Sequence, residues 1–260
     1  MRRIRVIPVL LIKNGGLVKS IKFKNHNYIG DPINAVKIFN EKEVDEIVIL
    51  DIDASKNNRE PNIGMIEEIA SEAFMPLAYG GGITKVEQVK TLIHAGVEKV
   101  VLNTAALKNP DLISQSAKIA GNQSVVVSVD VKKNLFGKYQ IYSETINSAS
   151  KMNLVDFIRK MEDLGAGEIF LNSVDRDGTY KGYDIELINQ VANITNIPVI
   201  ASGGASTVDD FRLAVSEGKA SAVAAGSMFV YHGNLRGILI NYPTQQMLVE
   251  KFYSKITWNS

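Results

Sequence analysis

The stretch DEIVILDID at residues 45–53 returns as GEIFLNSVD at 167–175, and the same offset carries MPLAYGGGIT (75–84) onto IPVIASGGAS (197–206). VEKVVLNTA (97–105) falls on KASAVAAGS (219–227) in the same way, and RVIPVLLIK (5–13) meets SVVVSVDVK (124–132) after a three-residue adjustment. Four strand-like segments thus recur as four more, with glycines in matching places, which marks a two-half architecture. Amphipathic helical patterns such as DPINAVKIFNEKEV, TKVEQVKTLIHAG and NLVDFIRKMEDLGAG follow the strands. Strands alternating with helices over short loops imply parallel pairing with right-handed crossovers. Eight such units in 260 residues predict an α/β chain closed as a (β/α)8 barrel of two (β/α)4 halves. The rival, an open doubly wound sheet, lacks a GxGxxG opening a helix near the first strand. One domain over residues 1–260 is expected. Its tail, NLRGILINYPTQQMLVEKFYSKITWNS, reads as a short and a longer helix closing the barrel from about residue 234, with frayed last residues.

Composition removes several classes of function. Hydrophobic residues at 45% and charged residues at 22% describe an ordinary globular chain, and a formal net charge of +1 gives no footprint for nucleic acid. The chain has no cysteine, so disulfides and thiolate chemistry are excluded. MRRIRV begins like a secretion signal, but Pro8 and Lys13 leave no adequate apolar core for one. No apolar run approaches membrane-spanning length. A cytoplasmic protein with neither membrane nor nucleic-acid partners is expected.

In such a barrel the chemistry belongs at the C-terminal strand ends. Two glycine-rich turns lie there, Gly80-Gly81-Gly82 and Ser202-Gly203-Gly204, each with a mate one unit later, Asn103-Thr104 and Gly226-Ser227. Glycine lets backbone N–H groups approach a ligand, and helix N-termini favour anions. Two such sets related by the repeat predict a small-molecule ligand with a phosphate at each end. Carboxylates also end strands: Asp51, Asp53, Asp130, Asp175 and Asp177. Asp53 and Asp175 read as turn residues. Asp130 shares its parity with Val126 and Ser128 and so points inward at the barrel top. In the aligned repeat, Leu11 occupies the position that answers Asp130. At the opposite rim, charged residues enter strands at Arg5, Glu46, Lys99 and Glu168; three of them, Arg5, Lys99 and Glu168, have inward parity. Strand entrances are commonly solvated, although alternating signs would let a ring neutralise itself. His26, His94 and His232 have no ligand-like spacing, so neither a metal nor another cofactor is expected.

GDP (30–32), LDIDAS (50–55), PLAYGGGI (76–83), VLNTAALKNP (101–110), VVVSVD (125–130), DRDGTYKGYD (175–184) and PVIASGGA (198–205) together resemble the cyclase subunit of imidazole glycerol phosphate synthase, the HisF family. The resemblance runs from residue 4 to about 230. It implies a barrel paired as a heterodimer with a class I glutaminase docked at the N-terminal face. Ammonia passes up the core and reacts at the top with a bisphosphorylated aminoimidazole carboxamide ribonucleotide. The family's charged ammonia gate matches Arg5, Glu46, Lys99 and Glu168, which turns the reading of those residues from solvated to functional. Its phosphate positions match Gly82, Asn103, Thr104, Asp177, Gly178, Gly203 and Ser227. Its mobile first loop keeps Lys19, but Gly16 and Asn27 stand where the family usually has arginines. SETINSASK (143–151) lacks the usual glycine.

The largest departure concerns the two aspartates that the resemblance implies for cyclisation. Asp130 is one; Leu11 replaces the other. Loss of an essential general acid or base is worth about 10²–10⁴-fold. The reading this favours is a paralogue that still conducts ammonia, delivering it to amidinate a surface-polysaccharide sugar. The alternatives are a histidine-pathway cyclase using Asp130 alone or with Asp51, and a non-catalytic activator of the glutaminase.

Overall fold

The computed structural model of the chain describes residues 4–233 and 237–256. The strands are β1 (Arg5–Lys13), β2 (Gly16–Ile21), β3 (Lys24–Gly30), β4 (Ile47–Asp51), β5 (Leu77–Gly80), β6 (Lys99–Leu102), β7 (Val125–Lys133), β8 (Tyr139–Ile141), β9 (Glu168–Ser173), β10 (Val199–Ser202), β11 (Ala222–Ala225), β12 (Tyr231–His232) and β13 (Gly237–Ile238). The helices are α1 (Pro32–Glu41), α2 (Ile63–Glu72), α3 (Val86–His94), α4 (Thr104–Lys108), α5 (Asp111–Ala120), α6 (Leu154–Asp163), α7 (Ile185–Ala192), α8 (Val208–Ser216), α9 (Ser227–Val230) and α10 (Gln245–Lys251). Local chemistry sets several starts. Asp31 accepts the Asn34 N–H ahead of Pro32 in α1, and Thr207 and Asp210 cap α8 reciprocally.

Strands β1, β4, β5, β6, β7, β9, β10 and β11 pair in parallel in that order, and β11 returns to β1 with Arg5 beside Ala222 and Pro8 beside Ala225. The sheet is therefore closed into a (β/α)8 barrel, the fold expected from the alternation of strands and helices. Strand period two divides its side chains into two sets. Ile7 and Val9 project into the lumen with Val48, Ala78, Val101, Val126, Phe170, Ile200, Ala222 and Ala224, a dry column with Leu11 and Leu50 packed at its edge. The alternate residues, among them Val6, Leu10, Ile47 and Ile49, face the helices. In the ring order β7 lies four places from β1 in either direction. Leu11 and Asp130 therefore face each other across the mouth.

Two hairpins extend the barrel beyond the expected strands. β2 and β3 fold back from β1 through Asn14 and Gly15, both with positive φ, at 51° and 79°. Asn-Gly between strand-forming residues is a strong hairpin signal, and KNGG at 13–16 carries it. β8 pairs antiparallel with the upper end of β7. In the tail, where the sequence suggests a short helix, the described residues form the β12–β13 pair instead. α10 then packs Leu248 inward. Phe252 joins an aromatic cluster with Phe211, and Tyr242 donates to the Val6 carbonyl at 2.9 Å. The tail boundary expected near residue 234 and the chain's last residues, expected to fray, fall outside the described residues. Among those residues no helix is long and apolar enough to cross a membrane.

Candidate active site

At the lower end of the lumen the four rim charges make one closed ring. The Arg5 guanidinium donates to Glu46 and, at 2.5 Å, to Glu168; the Lys99 ammonium reaches Glu46 at 2.8 Å and Glu168 at 3.1 Å. Glu46 joins because its parity is that of Val48, a point the sequence argument left out. Both carboxylates are buried. Burial pulls the Arg5 pKa down, but Glu46 and Glu168 outweigh it and hold the guanidinium above its ordinary value. Two cations and two anions in alternation leave no net charge, which is how such groups persist in a desolvated layer.

At the upper end lies a cavity of about 520 Å³, lined by Leu11, Asp130, Asn172 and both glycine-rich turns. Asp130 accepts from Asn103 Nδ2 at 3.0 Å and from Asn172 Nδ2 at 3.1 Å. Burial pushes its carboxyl up to about 6, against the pull of the two amide hydrogen bonds. Asp130 therefore sits near the middle of the range in which a carboxylate can trade protons at neutral pH. Across the mouth, Leu11 and Leu50 pack on the lumen column and offer no polar atom. Asp51 has the opposite parity to Leu50. Its carboxylate accepts the Asp53 and Ala54 N–H groups and faces the Arg59 guanidinium at 3.4 Å. Burial raises its pKa, and Arg59 opposes that rise. Asp53 accepts from Asn57 and Arg59, and Asp175 from the Lys133 N–H.

The two glycine-rich turns stand at equivalent places in the two halves. Asn103 and Gly226, which precede α4 and α9, adopt nearly the same backbone conformation (φ −113°, ψ −78° and φ −107°, ψ −75°), and neither helix has a side-chain cap. Gly81 at φ +123° has the Asp51 carbonyl where a Cβ would lie, and Gly203 at φ +91° has that of Ser173. The Gly82 N–H is held by Ser55 Oγ at 3.3 Å, and Thr104 opens α4. Gly204 accepts the Gly182 N–H, and Ser227 accepts the Tyr180 hydroxyl at its carbonyl.

The β2–β3 hairpin lies over this mouth. Lys22 N–H donates to the Asp177 carbonyl at 3.0 Å, and Phe23 meets Tyr142 edge to face at 6.0 Å between ring centres. Gly178 permits the approach, since a Cβ there would come 2.4 Å from the Ser20 carbonyl oxygen. Lys19 is buried beneath the hairpin, its ammonium on the Val9 carbonyl and in the space beside Gly226. Burial lowers its pKa to about 8, and nearby Asp177 resists the fall. Asp177 is in turn raised by burial and held down by Lys19.

The family model for "Histidine biosynthesis protein" matches residues 5–236. The chain belongs to that family, and to its HisF-like branch. It is 50% identical over 243 residues to a Pseudomonas aeruginosa protein named "Putative imidazole glycerol phosphate synthase subunit hisF2", covering 94% of this chain and 97% of the relative. A Vibrio vulnificus protein named "Putative imidazole glycerol phosphate synthase subunit hisF3" is 49% identical over 247 residues, 94% of each chain. "Imidazole glycerol phosphate synthase subunit HisF" of Alkaliphilus metalliredigens is 42% identical over 228 residues, 88% of this chain and 90% of the relative.

For this HisF-like chain, inspection of sequence missed several mouth residues. Asn172 shares the inward parity of Glu168, which is the signal that could have found it. Phe23 lines the mouth from the β2–β3 hairpin and Glu144 from the segment after β8; the Asn-Gly turn is the signal that could have found the first. Of the histidines, His26 lines the mouth, its pKa lowered by burial and then by Lys13. His94 bonds only its own helix at the Lys90 carbonyl, and His232 is exposed on β12. Among the described residues no three His, Asp or Glu side chains gather as a metal site.

Proposed function

We propose that this HisF-like chain receives ammonia from a class I glutaminase docked at the N-terminal face and conducts it through the barrel. The acceptor at the mouth is then other than the usual cyclase substrate. The observation that carries the reading is the contrast between the two ends of one lumen. The ring of Arg5, Glu46, Lys99 and Glu168 is complete and opens on a largely apolar column, broken on the β7 wall by Ser128; such a lining favours the passage of uncharged ammonia. At the mouth a single inward carboxylate, Asp130, faces Leu11. Ring closure that uses an acid and a base has lost one partner, at a cost of about 10²–10⁴-fold.

In this reading Lys99, which holds two carboxylates, is a member of the gate. Gly81, Gly82, Asn103 and Thr104 form one phosphate subsite; Asp177, Gly178, Gly203, Gly204, Gly226 and Ser227 form the other. Lys19 supplies a cation to the second, and Asp130 is the remaining base. The equivalent conformations of Asn103 and Gly226 support a ligand with two anionic ends. Amidination of a surface-polysaccharide sugar is the acceptor reaction we favour, with a further synthetase activating the sugar.

The deciding experiment supplies the chain with a glutaminase partner, glutamine and the bisphosphorylated ribonucleotide. Little imidazole glycerol phosphate is expected, and no rescue of a histidine auxotroph lacking its cyclase. Turnover at a normal rate would establish the second reading, a histidine-pathway cyclase. The likeness to a relative named as the HisF subunit and the place of Asp130 in the mouth, its carboxyl pushed up to about 6, favour that reading, with Asp51 as its helper. Glutaminase stimulation that survives Asp130→Ala and needs no phosphorylated ligand would leave a pure activator.

A further inference from the structure

We infer that Asn172 is a positioning residue for Asp130, and that its remaining oxygen recognises a hydroxyl or N–H donor on the ligand of this mouth. The register of the barrel places it for both tasks. Asn172 lies beside Asp130 on one side and Ser202 on the other. Its Nδ2 donates to one oxygen of Asp130 while Asn103 Nδ2 donates to the other. Two amides thus hold the carboxylate from neighbouring strands, and Leu11 opposite contributes nothing to its orientation.

The orientation of the Asn172 amide follows from that contact. Turning it over would set two oxygens against each other, so Nδ2 faces Asp130 and Oδ1 faces away. Asn172 is only 8% exposed, and its Oδ1 has no hydrogen-bond partner among the described residues. A Cβ on Gly203 would come 2.8 Å from this oxygen, so it looks into the space that glycine leaves open at the second glycine-rich turn. Buried acceptors are rarely left unpaired. The oxygen repels an anion, so a phosphate held at that turn must sit beyond it. What reaches Asn172 is a donor on the ligand's uncharged part, as in a phosphorylated polyol or sugar. This ligand assignment rests on the phosphate subsites proposed above; the clamp on Asp130 does not.

Two measurements on the full chain separate the claims. With ¹³C-carboxyl-labelled aspartate, NMR titration follows Asp130 directly. Asn172→Ala removes a donor to the charged form and is expected to raise the Asp130 midpoint by about one pH unit, with Asn172→Ser, which keeps a donor, moving it less. An unmoved midpoint in Asn172→Ala overturns the clamp. Calorimetry then compares glycerol 3-phosphate with methyl phosphate, the same anion without hydroxyls. The native chain is expected to prefer the glycerol ester about tenfold, one hydrogen bond's worth, and Asn172→Ala to lose only that preference. Equal affinity in the native chain overturns the donor-recognition role. If neither ester binds, the ligand claim falls together with the phosphate subsites, while the titration still decides the clamp.

Discussion

Leu11→Asp is the substitution on which the reading of the mouth turns. Leu11 is half-buried and packs on the edge of the lumen column with Leu50. Replacing it removes part of one leucine's burial, about 1–2 kcal/mol, which a folded barrel of this size tolerates. The new carboxylate faces Asp130, already pushed up to about 6 by burial. Like charges across a shared cavity raise each other further, so near pH 7 the pair holds one proton between them. One acid and one base is the protonation state that ring closure needs. With ammonium salts in place of a glutaminase and the ribonucleotide saturating, kcat for imidazole glycerol phosphate should rise by about 10²–10⁴-fold. Reading kcat sets aside any weaker binding caused by Gly16 and Asn27. Asp130→Ala added to Leu11→Asp should erase the gain. The reasoning is refuted if the native chain already turns over as fast as Leu11→Asp, or if the folded, substrate-saturated variant gains nothing.

Three further outcomes follow from the geometry. Lys99→Met leaves Glu46 and Glu168 short of a cation and should cost about 3–5 kcal/mol in chemical denaturation; ammonia made by a partner should no longer be captured, while added ammonium salts still work. Asp130 has its pKa raised from 3.8 to about 6. Between those values the folded state binds the extra proton, so this group's contribution to stability falls as pH rises through about 4–6. Asp130→Ala should accordingly look less damaging at pH 7 than at pH 4.5, by about 2 kcal/mol, and equal losses at both pH values would contradict this. Gly81→Ala and Gly226→Ala should part company. The first meets a backbone carbonyl 2.4 Å away at φ +123° and should lower Tm by several degrees. The second meets chiefly the end of the Lys19 side chain, with the Val9 carbonyl at 3.3 Å, and should lower Tm less while weakening phosphate binding in calorimetry.

The barrel itself is legible because two independent periods agree. Strand parity sends Arg5, Ile7, Val9 and Leu11 into one lumen, and the repeat fixes which strand faces which. Parity also placed Asp130 inward and, carried through, would have placed Glu46 in the ring. Parity separates Asp51 from Asp130 as well: Asp51 is turned away from the lumen, where Arg59 and two turn amides hold it, while Asp130 enters the lumen. The pattern of apolar residues does not disclose the hairpins, where Lys19 takes a buried position on β2. Lys19 is buried because the hairpin folds over a mouth rich in carbonyl and carboxylate oxygens, a tertiary fact.

Under the proposed function, the leucine at position 11 also bears on transport. In β1 the inward residues are now Arg5, then Ile7, Val9 and Leu11 without interruption, and Leu50 adjoins Leu11 in the next strand. The apolar lining therefore continues one layer higher on this side of the mouth than an aspartate would allow. On that reading, ammonia travelling up the lumen meets the buried Ser128 hydroxyl on the β7 wall, and then Asp130 and its two amides one layer higher. The side chains of β1 stay apolar up to Leu11, so the approach is polar on the β7 side before it is polar on the β1 side. Under the proposed function, losing the acid and lengthening the dry path are the same change, so Leu11→Asp should raise cyclase turnover and lower the fraction of glutamine-derived ammonia retained. An isotope-dilution measurement with labelled glutamine and unlabelled ammonium reads the second effect. Retention unchanged in Leu11→Asp would mean that the path ends below Leu11, at the level of Val9 and Val48.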